Sequence, residues 1–95
     1  MENRDVYVKK AQAQLDEWDA DLKKLKAKAD RASADAELEY RKQIDTLKHK
    51  REKAGDKLSE LKSASDDAWD DVKKGLESAT DALGSALKSA TARFK

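Results

Sequence analysis

Residue types able to do chemistry are few in this chain, and their spacing keeps them apart. The single histidine, His49, stands among Lys48, Lys50 and Arg51. An imidazole that binds a metal or shuttles a proton needs converging ligands or a substrate held beside it. Flanking cations repel a metal ion instead, so His49 reads as solvated surface. Asp66 and Asp70, and likewise Asp67 and Asp71, stand four residues apart. That spacing puts two carboxylates on one helix face. A calcium site, however, wants six or more oxygens gathered by a sharply turning loop. These acids are better read as charges that complement a helix N-terminus. Serine and threonine are plentiful, yet none has a base beside it. There is no cysteine, hence no disulfide and no thiolate metal site. Neither a glycine-rich phosphate loop nor a zinc spacing occurs. The expectation is a protein that is not an enzyme and uses no cofactor and no metal.

The elements that carry these residues are legible from one repeated spacing. An apolar or small residue recurs at every third or fourth position from Val8 to Phe94, and proline is absent. The large members of this line are Leu15, Trp18, Leu22, Leu25, Tyr40, Ile44, Leu47, Leu58, Leu61, Trp69, Val72, Leu76, Leu83, Leu87 and Phe94. At 3.6 residues per turn they share one stripe of an α-helix, which has to be buried against something. This stripe is the expected core or interface. Charged residues make up 43% of the chain and aromatics 5%, a composition that suits disorder when apolar residues are scattered. Because they are periodic here, a single all-α coiled-coil domain is the expected class.

Two places mark boundaries. Large apolar residues lapse at Asp30–Asp35, where the stripe makes a stutter that unwinds a coiled coil with or without breaking it. At Ser63–Asp67 a run of helix N-cap formers precedes acids in a first turn, the stronger signal of a break. The chain thus divides into segments of about 4–30, 35–62 and 66–94. Folded antiparallel about Ser33, the first two bring Val8 to Leu58, Trp18 to Leu47, Leu22 to Ile44 and Leu25 to Tyr40. The same register sets the acids Asp16–Asp21 opposite the bases Lys48–Lys53, and Lys26 and Lys28 near Glu39 and Glu37. A hairpin with a third C-terminal helix is therefore expected. The alternative is an extended rod that pairs as an antiparallel dimer, since it makes the same contacts between chains.

The last segment differs in texture. Small residues flank its stripe (Gly75, Ala79, Ala82, Ala86, Ala90), and Ser78, Thr80, Gly84, Ser85, Ser89 and Thr91 fill its polar side. Small residues let helices approach closely. A rival reading is a lipid-surface helix, bulky on one face and poor in charge on the other. Trp18-Asp19-Ala20-Asp21-Leu22-Lys23-Lys24-Leu25 is echoed by Trp69-Asp70-Asp71-Val72-Lys73-Lys74-Gly75-Leu76.

Several runs together resemble a group of small bacterial coiled-coil proteins that carry no assigned activity. They are Tyr7-Val8-Lys9-Lys10 with Ala13 to Asp19, then Glu39 to Ile44, then Ala68 to Gly75. The last third is also broadly similar to apolipoprotein-type and late-embryogenesis-type amphipathic repeats. These resemblances imply a helical, bacterial protein and bring no catalytic residue or ligand with them.

Net charge is +1, which argues against general affinity for nucleic acid. The basic stretch Arg41–Lys57 is interrupted by acids and offers only Tyr40 for stacking on a base. No apolar run approaches the ~20 residues needed to span a bilayer. Met1–Lys10 is charged and lacks the apolar core of a signal peptide, so a cytoplasmic location is expected. The functional expectation is a structural or interaction protein that self-associates or docks on a helical partner through the Leu/Trp stripe. The alternative is a lipid-surface or stress-protective protein that uses residues 69–94.

Overall fold

The computed structural model describes residues 4–93. Three helices follow in chain order: α1 (Arg4–Arg31), α2 (Ala34–Lys62) and α3 (Asp66–Arg93). The fold is all-α. The long rod of ~140 Å that a continuous 95-residue helix would make is not formed. The chain doubles back twice into a body 51 × 18 × 17 Å.

Both boundaries are true breaks, made without proline and without a left-handed residue among those described. At the first, Ala32 N–H donates to the Ala29 carbonyl at 3.2 Å. Ser33 is extended (φ −63°, ψ 161°), and its carbonyl accepts Glu37 N–H at 2.7 Å to start α2. The Ser33 hydroxyl makes no cap hydrogen bond. Local chemistry is thus weak here, and burial of Leu25 and Ala29 beside α2 decides in favour of a turn over a stutter. At the second boundary, Ser63 N–H donates to the Glu60 carbonyl at 3.3 Å and Ala64 N–H to the Leu61 carbonyl at 3.2 Å. Ser65 then caps α3, its hydroxyl accepting Ala68 N–H at 3.3 Å and its carbonyl accepting Trp69 N–H at 2.9 Å. Asp66 and Asp67 sit in the first turn, where the helix dipole favours negative charge.

α2 is the central helix. It packs along α1 on one flank and α3 on the other, while α1 and α3 run parallel and meet more sparingly. Leu15, Leu47, Leu61, Leu76 and Leu83 are fully enclosed in one core cluster with Leu25, Ile44, Leu58, Trp69 and Leu87. Ala29, Ala54 and Ala90 are also fully or nearly enclosed, and at these positions the small side chain lets helix backbones approach. No buried side-chain polar atom lacks a hydrogen-bond partner among the described residues.

Charges line the seams. Arg51 of α2 grips Asp19 of α1 through Nε and Nη2, at 2.7 and 3.2 Å, which joins the acidic and basic blocks at one pair. Arg41 bridges Asp30 across the first turn at 2.7 Å. It also bonds Glu37 on its own helix at 2.9 Å. Glu37, then Asp30, raise the Arg41 pKa further by accepting these bonds. Glu37 and Glu39, expected near Lys28 and Lys26, each have an arginine partner. Glu37 takes Arg41, and Glu39 reaches across to Arg93 of α3 at 3.0 Å. Guanidinium forks hold a carboxylate through two bonds, which a lysine cannot do.

Candidate interaction groove

Burial divides the stripe into two sets. Leu15, Leu25, Ile44, Leu47, Leu58, Leu61, Trp69, Leu76, Leu83 and Leu87 are enclosed within the chain itself. Trp18, Leu22, Tyr40 and Val72 pack against that core but stay partly open to solvent. Phe94 lies outside the described residues. A side chain enclosed inside one chain cannot also form a contact between chains, so within the stripe only the open set is available for docking; off the stripe, Val6 and Leu38 are exposed.

Of the open set, Trp18 is the member that lines the seam where α1 and α3 run side by side. One end of this seam is closed by stacked aromatics and cations. Tyr7 meets Trp69 edge-on, with centroids 6.1 Å apart at 71°. The Arg4 guanidinium lies 4.5 Å from the Trp69 ring, and Lys73 Nζ lies 4.7 Å from the Tyr7 ring. Tyr7 donates its hydroxyl to Glu77 at 3.3 Å, and Arg4 pairs with Asp66 at 2.9 Å. Beyond this clasp a groove of about 540 Å³ lies between the two helices. Ala11, Gln14 and Trp18 form one wall, and Leu76, Thr80 and Gly84 form the other. It continues past Trp18 toward Asp21, Leu87 and Thr91.

Gly84 explains why Trp18 can lie in the groove. A Cβ built on Gly84 would come within 3.0 Å of Trp18 Cζ2 and 3.4 Å of Cη2. The indole therefore rests on bare backbone, and any side chain at position 84 would lift it. Sequence reading groups Gly84 with the polar face of α3. The one signal that could have marked it is a glycine in a helix interior, which costs helix stability unless close packing requires it. Tyr7 lies off the stripe, so the spacing of apolar residues does not mark it.

A second cleft, between α2 and α3, is larger at about 810 Å³. Its walls carry His49, Lys50, Lys53 and Lys57, with Glu52 and Asp56 among them, against Gly75, Ser78, Ala79 and Ala82. No large apolar side chain lines it. Docking energy concentrates in desolvated Trp, Tyr and Arg anchors, so the smaller α1–α3 groove is the better docking surface. His49 is exposed, and the described residues hold no cluster of three or more metal-ligating groups.

The face of α3 expected to meet lipid is turned inward. Trp69 is 7% exposed, and Leu76, Leu83 and Leu87 are more enclosed still. What α3 shows to solvent is polar and largely charged, with Asp70, Asp71, Lys74, Glu77, Asp81 and Lys88 beside Ser78, Ala82, Ser85 and Ser89. To insert bulky residues at a lipid surface, α3 would first have to leave the bundle. No described helix is long and apolar enough to cross a membrane. No protein-family model, curated protein or solved structure matches this chain.

Proposed function

We propose that this chain is a non-enzymatic interaction module that self-associates or docks a partner helix through the groove between α1 and α3. The observation that supports this reading is Trp18, a large aromatic kept partly open above Gly84 while its sequence counterpart Trp69 is enclosed. Burying the rest of an indole removes apolar area worth about 25 cal/mol per Å². A groove flanked by two parallel helices also suits a further helix, whose ridges fit between theirs.

The test is association measured for the wild type and for Trp18→Ala and Ser85→Arg. The first removes the anchor. Ser85 is exposed at the groove wall, so arginine there obstructs the groove without touching the core. Val6→Ala, at a position 45% exposed on another face, is the control. Both groove variants should lose association while keeping full helicity, and the control should keep both. Association that survives Ser85→Arg would remove the groove from consideration.

A further inference from the structure

From the charges at the rim of this groove we infer that it is covered by a second copy of the same chain, docked face to face about a two-fold axis. The inference rests on reading the α1–α3 groove as the docking surface. Contacts of Trp18 with Gly84 and of Lys73 with Tyr7 fix the register of the two parallel helices. In that register Lys10 on α1 stands level with Glu77 on α3, and Asp21 stands level with Lys88. Lys10 and Asp21 are eleven residues apart, as are Glu77 and Lys88, which is three turns or ~16 Å on one helix face. The four charges therefore mark the corners of a rectangle around Trp18, and their signs alternate like a checkerboard. Lys10, Glu77 and Lys88 are exposed and Asp21 half-exposed.

An alternating rectangle is complementary to itself. A second copy rotated about an in-plane axis across the helices sets Lys10 against the partner's Asp21 and Glu77 against the partner's Lys88. Rotation about an axis along the helices sets Lys10 against the partner's Glu77 and Asp21 against the partner's Lys88. Either two-fold gives four opposite-sign contacts and closes as a dimer, with no free interface left to propagate. A surface that recognised a single-sign partner would instead carry one sign along its rim. One long face of a body 51 × 18 Å projects about 900 Å², so a standard interface of ~800 Å² per partner would engage nearly the whole face. Asp81, midway along α3, works against the pairing, because it meets an acid in either arrangement: the partner's Asp81 or the partner's Glu17.

Sedimentation equilibrium of the full chain from low to high micromolar concentration, at low and high salt, tests this. Wild type should move from the 10.6 kDa monomer to twice that mass, with Trp18 emission shifting to the blue in a Trp69→Phe background. Lys10→Glu should weaken association about tenfold at low salt, since symmetry doubles every change. Adding Asp21→Lys to it should restore association if the axis crosses the helices. Adding Glu77→Lys should restore it if the axis runs along them. Asp81→Asn should tighten the dimer. A monomer at every concentration overturns the inference, and so does a dimer indifferent to all these changes. If the protein stays monomeric while Ser85→Arg abolishes binding of a different helical partner, the groove reading stands and only the second copy is lost.

Discussion

The contact between Trp18 and Gly84 can be tested with one methyl group at two positions. Gly75 and Gly84 both lie inside α3, where replacing glycine by alanine gains about 0.5–1 kcal/mol by restricting the unfolded backbone. At Gly75 a new Cβ would meet Lys57 Cδ at 3.6 Å, an ordinary contact with a flexible chain. Gly75→Ala should therefore deliver the whole gain, which for a domain of this size raises Tm by about 4–8 °C per kcal/mol. At Gly84 the same methyl group would press on a rigid indole at 3.0 Å. Overpacking of that kind costs about 1–3 kcal/mol, at the low end here because Trp18 can tilt toward solvent. The helix gain is then cancelled or reversed, and the two variants should differ by about 1–2 kcal/mol. Thermal and urea melts followed by circular dichroism at 222 nm resolve a difference of that size. Repeating Gly84→Ala in a Trp18→Ala background isolates the cause. With the indole gone the methyl group has nothing to strike, and the variant should stabilise as Gly75→Ala does. If Gly84→Ala is as stabilising as Gly75→Ala with Trp18 present, the indole does not rest on Gly84 and the groove loses its anchor.

The turns and the buried face of α3 give further outcomes. Ser65→Ala removes a hydroxyl that caps α3 and should cost about 1 kcal/mol, whereas Ser33→Ala, where no side-chain cap bond exists, should cost far less; urea midpoints distinguish them. In a Trp18→Phe background, Trp69 emission should already be blue in plain buffer and should stay unchanged when small, highly curved vesicles are added, because the ring is enclosed by Tyr7 and Arg4. A blue shift on adding vesicles, with a rise in helicity, would show that α3 leaves the bundle for lipid.

Local sequence signals determined that this chain is helical, which residues form the stripe along each helix, and where the second turn falls. Those are local properties. A stripe at 3.6 residues per turn needs no partner to be read, and Ser65 with Asp66 and Asp67 carries its own start signal. Hairpin or rod was not local in that sense, because both place Leu22 beside Ile44 and Leu25 beside Tyr40. Only the tertiary structure shows the chain turning at Ala32 and Ser33, where neither glycine nor proline announces it. The two tryptophans make the same point. Trp18 and Trp69 open nearly the same motif, yet one borders an open groove and the other is clasped between Tyr7 and Arg4. Their difference arises from the parallel offset of α1 and α3, which sets Trp69 beside the start of α1 and sets Trp18 over Gly84 halfway along. That offset follows from how three helices share one core, a property of pairs of helices that no single helix's sequence carries.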